Sequence, residues 1–158
     1  MDWDIIFYII LSALPIVELR GGLPLAINYS IENNLPISLV FLLILLSNIF
    51  VIFFVFYFLD NLHKIFLKYS WYKKFFNFYM IKMQKKIDKF ENKYSTLGFL
   101  ALMIFVAIPL PGTGAWTGCF VSWILGLDRK KSIFSIAAGV LIAGILVLLA
   151  TLGFLMFF

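Results

Sequence analysis

The sequence predicts an all-α integral membrane protein with two re-entrant helical hairpins and two transmembrane helices in an inverted repeat, joined by a cytoplasmic amphipathic helix. The 158 residues are 63% hydrophobic, with a mean hydropathy of +1.03, whereas soluble domains are roughly 45–50% apolar. Glycine and proline interrupt two of the hydrophobic stretches. No linker divides the chain, so we expect a single membrane domain over residues 1–158.

Two stretches have the length and composition of full spans. Residues 33–59 and 132–158 carry no charge, and at about 1.5 Å per residue either can cross a hydrocarbon core of about 30 Å. In the second, Ser135, Gly139 and Ala143 recur at every fourth position. This spacing predicts a narrow face for close contact between helices.

The stretch over residues 94–127 fits neither one span nor two. Its 34 uncharged residues are too many for one helix and too few for two crossings of about 20 residues each. The sequence PLPGTG near its middle disfavours a continuous helix. Lys93 precedes it and Arg129 follows it, and the positive-inside tendency places both ends in the cytoplasm. We therefore expect a re-entrant hairpin.

Residues 5–31 form the other interrupted stretch, and its flanking residues Asp2, Asp4 and Glu32 are acidic. The span after it leads into a lysine-rich segment, so both ends of this hairpin are predicted to be external. Opposed hairpins whose broken tips meet near the midplane are a recurrent plan of transporters. Both chain termini are predicted to be external. The acidic start does not resemble a cleaved signal peptide, so we expect the first stretch to be retained.

Residues 60–93 connect the two halves and contain nine of the thirteen basic residues, all of them lysines. Apolar side chains recur there at intervals of three and four, which predicts an amphipathic helix on the cytoplasmic membrane surface with lysines towards anionic lipids. The interleaved aromatic residues and flanking membrane segments argue against a nucleic-acid partner.

The remaining composition narrows the chemistry. Cys119 is the one cysteine and His63 the one histidine, so we expect no internal disulfide, no metal site and no cofactor. No aspartate lies deep within a hydrophobic segment, and we do not expect an enzyme.

The first candidate motif is PIVELRGGLPLA, residues 15–26, which places an acid and a base inside an apolar hairpin. Arg20 offers a planar fork of donors for a phosphate or carboxylate, and Glu18 could neutralise Arg20 or bind a proton. Charges at membrane depth usually mark function, although the pair could simply close the hairpin. The motif also contains residues that make a regular helix unlikely, namely Gly21, Gly22 and Pro24.

The second candidate motif is IPLPGTGAWTG, residues 108–118. Its prolines remove backbone donors and its glycines permit unusual dihedral angles. Exposed amides in such a turn could bind an anion, or the motif could only form a tight turn. The candidate binding residues of this motif are Pro109, Pro111, Gly112, Thr113 and Gly114.

The segments ELRGGLPLA and PLPGTGAWTG resemble the paired signatures of the small multidrug export family of prokaryotic membrane proteins. The resemblance covers nearly the whole chain and implies a multi-pass protein of the prokaryotic inner (plasma) membrane. A looser similarity links the architecture to the DedA superfamily, whose paired hairpins are associated with moving lipids, including polyprenyl phosphates. Many DedA hairpins have an acidic residue after Pro-Gly, whereas this chain has Thr113 at that position. Proton coupling or phosphate binding would therefore rest on Glu18 and Arg20.

These observations favour a transporter or flippase that moves a small amphiphile or an anionic lipid such as a polyprenyl phosphate through a midplane site. A proton-coupled multidrug exporter is an alternative, with Glu18 binding the drug and the proton in turn. A non-transporting scaffold that depends on the lysine-rich segment is another. The expected partners are membrane lipids, the substrate and, because the chain is small, a second copy in a homodimer.

Overall fold

The computed structural model describes residues 3–15, 17–66, 68, 70, 95–110 and 112–157, and within these ranges the regular structure is entirely helical. In the described part of each half, two short helices are followed by a long one. The helices are α1 (Trp3–Ala13), α2 (Glu18–Glu32), α3 (Ile37–Phe66), α4 (Ser95–Ala107), α5 (Ala115–Ile124) and α6 (Arg129–Phe157). The prediction of an all-helical protein with two long apolar helices is confirmed.

Helices α1 and α2 form an antiparallel hairpin. The Tyr29 hydroxyl donates to Asp4 Oδ2 at 3.1 Å, and the Tyr8 and Tyr29 rings lie 5.6 Å apart between centroids. The start of α1 therefore lies beside the end of α2. At the opposite end of this hairpin the chain passes from α1 to α2, and the described residues between them, Leu14, Pro15 and Val17, are called the first tip.

The predicted break at Gly21, Gly22 and Pro24 is wrong, because all three residues lie inside α2. A Cβ atom on Gly22 would collide with the side chain and backbone of Ser12, so this glycine lets α1 approach α2 closely. Pro24 lacks only the one N–H that would have bonded within the helix. The helix tolerates this loss because α2 packs against α1, α3 and α6.

Helices α4 and α5 form the second hairpin, and α4 runs parallel to α6. The Lys131 ammonium lies 5.6 Å from the centroid of the Phe99 ring, and Gly139 faces the backbone of Met103. The last turn of α5 lies by the end of α3, since the Trp123 indole donates to Asp60 at 3.2 Å. The described residues between α4 and α5, 108–110 and 112–114, are non-helical and are called the second tip.

The two hairpins have their open ends at opposite ends of α3. The first hairpin leads directly into the start of α3 at Ile37. The second opens beside Asp60, which accepts a hydrogen bond of 2.7 Å from Arg129 Nη2 at the start of α6. The two tips consequently face each other from opposite directions.

The exterior of the long helices is apolar. Phe50 and Tyr57 on α3 are both 72% exposed, and Phe134 on α6 is 78% exposed. Both helices contain apolar runs long enough to cross a bilayer, over Ile37–Asn61 and Arg129–Leu155. Large aromatic side chains exposed in this number require an apolar surrounding, as expected of a membrane protein.

Most of the predicted amphipathic segment, residues 60–93, lies outside the described residues. Its first part is described, and residues 60–66 continue α3 as one helix.

Candidate functional site

The first tip carries a buried carboxylate with an unusual backbone. Glu18 is only 6% exposed and has a φ angle of 49°, in the left-handed region that non-glycine residues rarely adopt. Its backbone N–H donates to the Leu14 carbonyl at 2.9 Å, which holds the turn into α2. Backbone strain of this kind costs about 1–3 kcal/mol and persists where the surrounding structure imposes it, often at functional sites.

The Arg20 side chain joins the two tips. Its Nη1 atom donates to Glu18 Oε2 at 3.3 Å. Its Nη2 atom lies within hydrogen-bond distance of three backbone carbonyl oxygens of the second hairpin, those of Val106 at 3.1 Å, Ile108 at 3.0 Å and Thr113 at 2.9 Å. Since Nη2 carries two hydrogens, these acceptors share its donors. One guanidinium thus holds both hairpins together.

The Glu18 carboxylate lies against the beginning of α5. A Cβ atom on Gly114 would overlap this carboxyl group, and the backbone N–H of Trp116 is close enough to stabilise its negative charge. The Trp116 indole in turn donates to the Ala13 carbonyl at 2.9 Å. The Glu18 carboxylate therefore lies at the N-terminus of α5, where the helix dipole and the free backbone N–H groups favour a negative charge.

Anion binding by the second tip stays a prediction. The Thr113 backbone N–H donates to the Leu110 carbonyl at 3.3 Å, and the Thr113 hydroxyl lies within hydrogen-bond distance of the Ile108 and Leu110 carbonyl oxygens. The carbonyl oxygens of Ile108 and Thr113 accept from Arg20. Backbone carbonyl groups outside a helix have no intrahelical partner and are free to accept other hydrogen bonds. Those of the second tip accept from the Arg20 guanidinium.

The structure brings together Glu18, Arg20, Thr113 and Gly114 from the predicted site. Of the other predicted residues, Gly22 packs against Ser12 of α1, Gly21 lies beside Val17, and Pro24 lies one turn further along α2. Pro109 and Gly112 are exposed. Pro111 lies outside the described residues.

Sequence reasoning missed a polar cluster on α1 and α3. The Asn48 amide, only 2% exposed, donates to the Ile44 carbonyl at 3.0 Å and lies 3.4 Å from Ser12 Oγ. Ser12 Oγ lies 3.3 Å from Ser47 Oγ. The sequence feature that could have revealed this cluster is the pair Ser47-Asn48 in the middle of an otherwise apolar span. A buried amide needs hydrogen-bond partners, so Asn48 predicts other polar groups nearby. Asn48 also lines a small cavity with Glu18 and Arg20.

The site contains one buried acid, one base whose side chain is 14% exposed and a buried amide. Among the residues that the structure describes, no three histidine, cysteine or carboxylate side chains cluster as metal ligands would. The arrangement can hold the two tips together, and it can release them if the charge of either partner changes.

A family model described as "Putative small multi-drug export protein" matches residues 18–146. The match begins at the buried carboxylate, directly after the first tip, and includes the second tip. The chain belongs to the small multi-drug export family. The family description is that of an exporter and not of an enzyme. None of the curated proteins or solved structures compared with the chain is significantly similar to it.

Proposed function

We propose that this small multi-drug export protein moves small amphiphilic molecules across the membrane, and that the two tips form its closed gate. The observation that supports the proposal is the Arg20 side chain, which links Glu18 to three carbonyls of the opposite hairpin. A charged junction between two broken helical segments is costly in an apolar surrounding. A merely structural contact between helices would not need it.

The proposal includes two re-entrant hairpins in an inverted repeat. The four short helices contain 11, 15, 13 and 10 residues. At about 1.5 Å per residue none exceeds about 23 Å, which is less than the ~30 Å of the hydrocarbon core. The opposite directions of the two hairpins along α3 also support this arrangement. In such a plan, exposure of the site alternates between the two sides as the halves move.

The favoured substrate is an uncharged or cationic amphiphile. In the closed gate the positive charge of Arg20 is balanced by Glu18 and the tip carbonyls, so Arg20 presents little unsatisfied positive charge. Glu18 would be the group that attracts a cation when the gate opens. A polyprenyl phosphate flippase gains no support from the family match, and the engaged Arg20 donors weaken it further.

A transport assay tests the proposal. Purified protein in proteoliposomes should release a panel of cationic or neutral dyes, and both Glu18→Gln and Arg20→Ala should slow release at least about tenfold. Breaking a buried ion pair costs about 3–5 kcal/mol, so each variant must first be shown to remain folded and monodisperse in detergent.

Glu32→Gln is the matched control, because this exposed acid lies at the far end of α2 and bonds only to the nearby Asn28 amide among the described contacts. Its release rate should equal that of the wild type. Full transport by both site variants would remove the proposed gate, and selective movement of lipid phosphates would favour the flippase hypothesis.

A further inference from the structure

A small cavity lies where the two tips meet α3 and α6. Glu18, Arg20, Asn48 and Gly114 line it together with apolar side chains. Its volume is about 10 Å³, which is close to the minimum for one water molecule. A buried water normally makes two to four hydrogen bonds, and the polar lining of this cavity offers that number. The space suits a water and is too small for a drug.

Two polar atoms beside the cavity lack a partner in the described part of the chain. These are Glu18 Oε1 and Arg20 Nε, both buried. Leaving a buried charged group unpaired costs about 1–3 kcal/mol or more. A single water that accepts from Nε and donates to Oε1 would satisfy both atoms, and the Asn48 amide is placed to hold it.

We propose that this cavity is a proton-binding site in which one water, held by Asn48 and Arg20, delivers a proton to Oε1 of Glu18. The proposal rests on the proposed exporter function and names its coupling ion. A hydronium ion gives its proton to the carboxylate and leaves neutral water and a carboxylic acid behind. The reverse step returns the proton to water on the other side of the membrane.

The surroundings of Glu18 favour a proton over a metal cation. Among the described residues, α3, α4, α5 and α6 contribute only neutral side chains to the cavity lining, those of Asn48, Val106, Ala115, Val140 and Ala143. Arg20 is the charged neighbour, and Cys119 on α5 is the other titratable group close enough to interact with Glu18. A metal cation would need several oxygen ligands beside a fixed positive charge. A proton needs one oxygen.

Protonation would loosen the gate. A neutral Glu18 no longer balances Arg20, and an unbalanced guanidinium at membrane depth is unfavourable. Arg20 would then exchange its tip carbonyls for water, which separates the first tip from the second. Proton binding on one side of the membrane is thereby linked to opening of the site.

Infrared difference spectroscopy on the purified full-length protein tests the proton site. Between pH 5 and pH 9 a carboxylic acid C=O band should titrate, and Glu18→Gln should remove it while Glu32→Gln leaves it unchanged. Asn48→Leu, which cannot hold the water, should raise the titration midpoint by about one pH unit, the equivalent of one lost hydrogen bond. Asn61→Leu, an exposed position on the same helix, should not shift it.

Absence of a band that depends on Glu18, or an unchanged midpoint in Asn48→Leu, would overturn the proposal. A second measurement uses spin labels at the exposed tip positions Leu14 and Leu110 in a Cys119→Ala background. The distance between the tips should increase below the midpoint in this background and be long at every pH after Glu18→Gln is added. A distance that does not depend on pH would also overturn it.

Dye release without a pH gradient separates this inference from the proposed function. If dyes move but Glu18 does not titrate, proton coupling is wrong and the exporter stands. If Glu18 titrates and opens the tips while no dye moves, the proton site is supported and the exporter function is wrong.

Discussion

A single guanidinium provides most of the polar contact between the hairpin tips. Arg20 is suited to this because its planar fork holds several donors in fixed positions, whereas lysine offers a compact charge on a flexible stem. It approaches three carbonyls and one carboxylate. The carbonyl oxygens of Val106, Ile108 and Thr113 stabilise the charge of Arg20. Arg20 in turn satisfies these carbonyls, which would be costly to leave unpaired in an apolar environment.

Because Gly114 has no Cβ, the Glu18 carboxyl group can lie directly against the start of α5. We expect Gly114→Ala to disrupt this junction. The φ angle of Gly114 is −93°, which alanine adopts easily, so the penalty comes from overlap of the new Cβ with the Glu18 carboxyl group. Overpacking of this kind costs about 1–3 kcal/mol. The measurement is the thermal unfolding midpoint in detergent, which should fall.

Gly98→Ala is the control for this prediction. Apart from its own helix backbone and chain neighbours, no atom of the described residues lies within 4 Å of the position that its Cβ would take, and alanine favours a helix over glycine by about 1 kcal/mol. Its midpoint should stay the same or rise. A fall in both variants, or in neither, would contradict the role given to Gly114.

The sequence identified the charged residues of the site and their neighbours Thr113 and Gly114, but not Asn48. Glu18 and Arg20 were recognisable because charge is rare in an apolar stretch. Asn48 is neutral, so its position in the span gave a weaker signal, and its proximity to Ser12 depends on tertiary packing. The left-handed backbone of Glu18 could not be inferred, because the surrounding turn imposes it and the residue type opposes it.

Helix α2 shows why glycine and proline were misinterpreted. Local propensity favours a break where Gly21, Gly22 and Pro24 crowd together, yet burial of one face against three neighbouring helices outweighs that propensity. In the second hairpin, residues 108–110 and 112–114 are non-helical, in agreement with the predicted break. There two prolines stand one residue apart, so more than one helical hydrogen bond would be lost.

Close packing of α4 on α6 depends on Gly139, and Gly139→Ala should lower the thermal unfolding midpoint. A Cβ atom there would lie 2.7 Å from the Met103 carbonyl oxygen and 2.8 Å from Val106 Cβ. The first of these is backbone and can move only with α4. We expect a cost of about 1–3 kcal/mol.

Gly144→Ala on the same helix is the matched control, because its Cβ would meet its nearest neighbours at 3.4 Å, a distance that small side-chain shifts can accommodate. Its midpoint should stay within a degree or two of the wild type. Equal effects of the two substitutions would show that helix α6 tolerates or rejects alanine irrespective of the α4 contact.

The whole molecule is organised around two hairpins that point towards each other along α3. Stretch lengths and flanking charges predicted two short-helix pairs and two long helices, because bilayer thickness limits both. They could not predict which residues meet at the centre, since side-chain contacts between the halves have large sequence separations. The homodimer and the external position of both termini stay predictions.

Cysteine labelling in intact cells or oriented vesicles tests the arrangement in the membrane. Against a Cys119→Ala background, cysteines replacing Trp3 and Asn33 should both react with an impermeant reagent from outside, because the ends of the first hairpin lie together. A cysteine replacing Lys130 should react only from inside. Labelling of the Trp3 and Asn33 positions from opposite sides would mean that the first hairpin crosses the bilayer.

The proline inside α2 affects the stiffness of that helix. Because Pro24 has no N–H, the carbonyl of Arg20 lacks its usual partner four residues along. The helix is therefore easiest to bend within the turn that follows Arg20, while the fully buried side chains of Leu23, Ala26 and Ile27 anchor one face of α2. We expect the first tip to swing about this point as a short lever, so that a small bend moves the charged end while the base of the hairpin stays in place.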